Sequence, residues 1–371
     1  LELPVSLIPA QFFGGQEGDF AEVSFGTEQN IVASARIKQL IFDGSYIVGL
    51  KAIKTYLEIS DNTLKKTNLE VRKLVNNAYL KTLISKANID FINKNIKSLE
   101  DTLSEAKKLY ENGFTEEESV EQLKITLSEL QSQRKFAYQF SLLSMDVLKV
   151  SLGYKEVDKL NLTSSLETII NSQTFDIPIV ESWNHNSNID IKIATNDVES
   201  KRLLYKLEQS KSLPKLSTFI SGAYTGNNNS FAFNESNQKW FGSALFGVSL
   251  DVPIFSSLGR SASSQKAKIS YEQSKTKLET AQQQIKIAAK NAKASYELAI
   301  DNFYVTKNNM NLAERIENKN QIKFSQGIAS SFELRQAQTQ LYRAQKNYLD
   351  AIQNLVSKKI ELETLLNITK N

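Results

Sequence analysis

The chain has 371 residues, with 45 basic and 41 acidic side chains, one histidine and no cysteine. The missing thiols exclude disulfide frameworks, thiolate metal sites and cysteine nucleophiles. The lone His185 lacks the companions that a histidine metal site needs. No run of 18 apolar residues occurs, so no transmembrane helix is expected, and mixed charge signs describe a solvated helix surface rather than a nucleic-acid stripe.

The amino terminus, Leu1-Glu2-Leu3-Pro4, is no signal peptide. Val5-Ser6-Leu7 reads as a short strand, and a polar loop follows over 14–29. In 31–38, Ile31, Ala33, Ala35 and Ile37 alternate with Val32, Ser34, Arg36 and Lys38. Period two puts these sets on opposite faces of a strand. Residues 1–44 therefore form a first strand pair.

A helix-favouring run follows over 45–112. A continuous helix of that length would extend about 100 Å at 1.5 Å per residue and needs lateral partners throughout. Ile92, Ile96, Leu99, Leu103, Ala106 and Tyr110 step by four and three, a coiled-coil seam. Gly113 is the only glycine between 50 and 152 and marks a hairpin tip, because glycine is the usual residue just past a helix end. Glu116, Glu117 and Glu118 beside it read as a solvated helix start. The returning helix closes the hairpin, 45–152, at Gly153.

An irregular polar segment spans 153–180. A connecting helix is predicted over 181–212, and Leu213-Pro214 stops it. Residues 213–258 form a second strand pair. Leu216-Ser217-Thr218-Phe219-Ile220 opens it and a polar loop spans 225–239. In 244–251, Ala244, Phe246, Val248 and Leu250 alternate with Leu245, Gly247, Ser249 and Asp251. Residues 259–371 form a second long hairpin and the C-terminal end. Its tip is Gly327, the only glycine between 260 and 371. Its returning seam is Leu334, Ala337, Leu341, Ala344, Tyr348, Ala351 and Leu355. Its outgoing seam is poorer: Glu317 and Asn320 fall at matching places, so that face is expected to meet water.

The second half thus repeats the first. Gly113 and Gly327 lie 214 residues apart. Ile41-Phe42 matches Ile254-Phe255. Lys51-Ala52 and Tyr56 match Lys266-Ala267 and Tyr271 after a two-residue insertion. Leu3-Pro4 echoes Leu213-Pro214, so by the same logic a helix is expected before Leu3-Pro4, outside this sequence. Four strands per chain cannot close a barrel, since small barrels need about eight. Three chains would supply twelve strands and a cylinder of helices in continuation.

The ordered landmarks resemble the TolC-like outer-membrane efflux proteins: Leu213-Pro214-Lys215-Leu216 before a strand, Pro253-Ile254-Phe255 after one, the lone-glycine tips, and Phe332-Glu333-Leu334 leading to Leu341. The resemblance implies a mainly α fold with long coiled-coil hairpins and a transmembrane β-barrel completed as twelve strands in a homotrimer. It implies an exit duct of a tripartite efflux or type I secretion system, in the outer membrane with a periplasmic extension. Implied partners are a periplasmic adaptor (membrane fusion protein), an inner-membrane transporter of RND, ABC or MFS type, and outer-membrane lipid, with no nucleic acid, cofactor or metal.

By that resemblance, Glu333 and Gln336 occupy periplasmic gate positions, with Gln336 departing from an acidic residue. Tyr110, Gly113, Phe114, Phe324, Gly327 and Ile328 resemble adaptor-docking turns. Ser34, Arg36, Lys38, Ser249 and Asp251 are expected to face the lumen. Ala33, Ala35, Ile37, Phe246, Val248 and Leu250 are expected to face lipid, with Trp240 and Phe241 as candidates for an aromatic girdle. An enzyme has little to work with here: no Gly-rich phosphate loop, no Cys and one isolated His. The alternative is a soluble coiled-coil scaffold, which explains the heptads but not the alternating strands.

Overall fold

The structure is a computed structural model describing residues 5–24, 26–155, 157–172 and 183–368. The Leu3-Pro4 motif and residues 173–182, which include the expected start of the connecting helix, lie outside them. In chain order the elements are β1 (Val5–Pro9), β2 (Phe20–Ser24), β3 (Gln29–Phe42), α1 (Gly44–Glu111), α2 (Glu117–Ser151), α3 (Leu166–Ser172), α4 (Ile189–Ser210), β4 (Lys215–Asn228), β5 (Trp240–Asp251), α5 (Gly259–Ser325) and α6 (Ser331–Leu365). They divide into two compact units, 1–55 with 199–273 and 56–198 with 274–371.

The first unit holds the strands. β3, β4 and β5 form an antiparallel sheet with β4 in the centre. The strands are 14, 14 and 12 residues long, longer than their alternating stretches predicted. β1 does not join them. It pairs with β2, which falls in the segment expected to be loop. Gly14 and Gly18, both at positive φ, fold that segment back on itself. The Leu-Pro echo therefore does not lead into equivalent strands.

Gly44 opens α1 against Leu213. A Cβ at 44 would lie 2.7 Å from Leu213 Cδ1 and 3.2 Å from Ser210 Cβ, so a larger residue here would have to displace the end of the Leu213 side chain. Asp43 caps the helix, its Oδ1 accepting from Ser45 N at 2.8 Å, and Lys215 Nζ lies 3.4 Å from the same carboxylate. The two-residue insertion of the second half falls between β5 and α5. It is taken up by left-handed backbone at Ser257 and Leu258.

The second unit is a helical bundle. The α1 seam packs as its spacing predicts except at Tyr110, which is exposed: Ile92, Ile96, Leu99, Leu103 and Ala106 are buried with Val120, Leu123 and Leu130 of α2 and with Leu334 of α6. A second core joins Leu80 and Leu83 of α1, Tyr296 and Phe303 of α5, Ile352 and Leu355 of α6, and Leu166 and Ile170 of α3. Polar side chains between helices fix the register. Asn95 donates to Gln345 at 2.8 Å, and Thr82 Oγ1 donates to the Ser144 carbonyl at 3.0 Å. α4 lies along α1 through Asn62–Asn196 at 2.6 Å and Lys66–Asp190 at 2.8 Å.

The two hairpins match element for element. α2 and α6 each have 35 residues. Gly113 at φ 79 and Gly327 at φ 72 each end an outgoing helix. At each, the next amide donates five residues back: Phe114 to Leu109 and Ile328 to Lys323, both at 2.8 Å. The returning helices end alike at Gly153 and Asn367, again 214 residues apart.

Candidate functional site

Two regions carry the predicted functional residues: the three-stranded sheet and the hairpin tips. In the sheet, register rather than strand pattern decides which residues share a face. Ile37 stands opposite Ile220, which stands opposite Phe246. Ala35, Gly222 and Ala244 form the adjacent row, and Ala33, Tyr224 and Gly242 the next. Ala33, Ala35, Ile37, Phe246, Val248 and Leu250 therefore share one face. Ser34, Arg36, Lys38, Ser249 and Asp251 share the other.

The charged residues of these three strands are Arg36, Lys38, Lys215 and Asp251, and all fall on that second face. The second face is not wholly polar, since it also carries Val32, Phe219, Phe241 and Leu245. What separates the faces is charge. On the uncharged face, Ile37, Ile220, Phe246, Val248 and Leu250 are all more than half exposed within the chain.

Aromatic rings cover three of the four glycines of these strands, Gly222 being the exception, a device that fills the gaps glycine leaves in a sheet. A Cβ at Gly226 would meet the Trp240 ring at 3.0 Å, and one at Gly242 would meet the Tyr224 ring at 3.4 Å. Both rings lie on the uncharged face. Phe241 does not accompany Trp240, because adjacent strand residues point oppositely. Only Trp240 of that pair can belong to a girdle on the uncharged face. On the charged face, Phe219 lies over Gly247, and the Arg36 guanidinium stacks 4.7 Å from the Phe219 ring centroid.

At the tips, Phe114 and Ile328 are exposed, and Tyr110 is 42% exposed. Phe324, the counterpart of Tyr110, is 4% exposed and packs in the core with Leu334 and Val120. It is a core residue, and its sequence signal, an aromatic three residues before the tip glycine, does not distinguish it from Tyr110. The tips touch each other through Ser331 Oγ and Ser119 Oγ at 2.9 Å.

Glu333 and Gln336 are both exposed, on successive turns of α6. The Glu333 carboxylate is engaged locally. It accepts from Ser330 N at 2.8 Å and from Ser330 Oγ at 3.0 Å, while Ser330 Oγ accepts from Glu333 N at 3.2 Å. This reciprocal capping box holds its pKa below the usual glutamate range, chiefly through the backbone hydrogen bond. The first hairpin's counterpart of Ser330, the N-cap Glu116, makes no side-chain cap.

The poorer seam of α5 predicts Glu317 at water, but in the structure it is 6% exposed. Desolvation pushes its pKa up, and the Gln338 amide beside it partly offsets that. Gln338 is itself 1% exposed. Neighbouring Tyr342 is raised too, by burial and by the charge of Glu317. Asn320 is only half-buried, its amide donating to the Ile316 carbonyl at 2.9 Å. Among the described residues no helix is long and apolar enough to cross a membrane, and no group of acidic, His or Cys residues could hold a metal ion.

Residues 185–367 match a family described as outer membrane efflux protein. No curated protein sequence matches the chain. Among solved structures, CusC, described in terms of transmembrane channel formation, is similar at a TM-score of 0.77 and 15% identity, over 98% of this chain and 81% of that one. The outer membrane protein VceC of Vibrio cholerae gives 0.71 and 14%, over 91% and 87%. The Campylobacter jejuni CmeC outer membrane channel gives 0.71 and 13%, over 98% and 75%. At these identities the likeness is one of fold.

Proposed function

We propose that this chain, which over residues 185–367 matches the outer membrane efflux protein family, is a member of that family and an outer-membrane channel for export. Its helical hairpins build a periplasmic extension, and it performs no reaction of its own. The carrying observation is the sheet. Its strands exceed the roughly 9–11 residues that a tilted strand needs to span a bilayer. One of its faces has no charge and is exposed, and the other holds every charge of the strands. Lipid suits the first face and a water-filled lumen the second.

Three strands leave open edges and cannot close on themselves. Joining three copies of the chain into one barrel would satisfy those edges, the sheet supplying three strands per copy where four were expected, and the α1–α2 and α5–α6 hairpins build a helical duct. The tip residues Tyr110, Gly113, Phe114, Gly327 and Ile328 then meet a periplasmic adaptor, which couples the duct to an inner-membrane transporter in tripartite efflux or type I secretion. Glu333 and Gln336 lie where the duct narrows. The Glu333 capping box would have to loosen before its carboxylate could serve a passing cation.

The test is purification with and without detergent. A detergent-dependent trimer by light scattering, conducting ions in a planar bilayer, supports the channel. A monodisperse, non-conducting protein that stays soluble without detergent supports the coiled-coil scaffold instead.

A further inference from the structure

We infer that the charged face of the sheet makes the barrel selective for anions, through Arg36 and Lys38. This rests on the reading that this face lines the lumen. The two residues sit two positions apart on β3, both exposed, on the same face, hence about 7 Å apart along the strand. Their register partners are Ser221 and Phe219 on β4, and beyond these Leu245 and Gly247 on β5. None of the four is acidic.

The one acid on this face, Asp251, stands at the end of β5 opposite Lys215. Lys215 also lies 3.4 Å from Asp43, so this end of the sheet holds one positive and two negative charges. Along β5, Asp251 is six residues from Leu245 in the Arg36 row, about 20 Å, and four from Gly247 in the Lys38 row, about 13 Å; both distances exceed one screening length at physiological salt. Glu28 lies beyond the opposite end of β3. No ion pair among the described residues includes Arg36 or Lys38.

The sheet also builds a support for this charge. Gly247 leaves room for the Phe219 ring, since a Cβ there would lie 2.6 Å from Phe219 Cζ. The ring in turn carries the Arg36 guanidinium at 4.7 Å. A cation held over an aromatic face keeps its charge while losing mobility. Three copies around a barrel would place six positive charges at one level. Low-dielectric walls focus such a field and concentrate counter-ions by roughly tenfold or more. The solutes favoured are anionic: carboxylates, phosphate esters and sulfonates.

The experiment is the reversal potential of the purified channel in a planar bilayer under a potassium chloride gradient. Wild type is compared with Arg36→Ser/Lys38→Ser and with the charge-keeping Arg36→Lys/Lys38→Arg. The expected result is a chloride-to-potassium permeability ratio that falls roughly tenfold in the serine variant and is kept in the charge-keeping one. A conducting serine variant with an unchanged ratio overturns the inference and leaves the channel reading intact. Loss of the ratio in both variants also overturns it, because charge would then not be the cause. Assembled wild-type protein that does not conduct at all overturns the channel reading, and the inference with it. If the serine variant fails to assemble, Arg36→Gln alone must still lower the ratio, and an unchanged ratio there refutes the role of Arg36.

Discussion

Val248→Arg tests the orientation of the sheet. Val248 is 64% exposed on the uncharged face, opposite Thr218 and flanked on its own strand by Phe246 and Leu250. The apolar residues of this face on β5 run from Trp240 to Leu250, so its middle falls near Leu245. Val248 is about 10 Å along the strand from there, and strand tilt of about 40° brings it to roughly 8 Å from the midplane. An arginine costs about 2–4 kcal/mol at the midplane and 0–1 kcal/mol near the interface. At this depth about 1–3 kcal/mol per chain is expected, a factor of roughly 5 to 150 in the equilibrium.

The control is Ser249→Arg. It projects from the other face, two positions from Asp251, and is expected to be neutral to within about 0.5 kcal/mol. The assay is urea titration of the barrel refolded into liposomes, with the assembled band on unheated gels as a check. Phe246→Arg, closer to the midplane, should cost more than Val248→Arg. Equal stability of Val248→Arg and wild type, together with a damaged Ser249→Arg, would mean that the faces are reversed.

Gly113→Ala and Gly327→Ala meet open space at Cβ but a left-handed backbone, so each should destabilise its tip by about 1–2 kcal/mol; Gly113→Asn should be milder, because Asn367 holds the matching conformation. Thermal melts read both, and an alanine as stable as glycine would contradict the helix-end geometry. Gly247→Ala forces Phe219 off β5 and should cost about 1–3 kcal/mol in urea titration, while Gly259→Ala, with open space and ordinary φ, serves as its neutral comparison. Glu317 has a folded pKa above its ordinary value, so the folded state holds that proton more tightly than the unfolded state. Stability should therefore fall as pH rises from the ordinary glutamate range through the raised value. Glu317→Gln should flatten this part of the pH profile of thermal stability, and an unchanged slope would show that the carboxyl is not the source.

Much of this molecule is read from short-range order. The limits of α1, α2, α5 and α6, the tips at Gly113 and Gly327 and the alternation of β3 and β5 follow from periodicity and from glycine's freedom at positive φ. These are properties of neighbouring residues, and the chain writes them in line. Pairing and burial are properties of distant residues. β1 joins β2 rather than β3 because Gly14 and Gly18 let the chain turn back locally. Glu317 is buried because Gln338 and Tyr342 of α6 lie alongside it, and Phe324 is buried where Tyr110 is half open because the two tips pack differently. The sheet shows the division most clearly. Each strand announces two faces, but only the register of β3, β4 and β5 puts Arg36, Lys38, Lys215 and Asp251 on one of them. A shift of one residue would have mixed the faces.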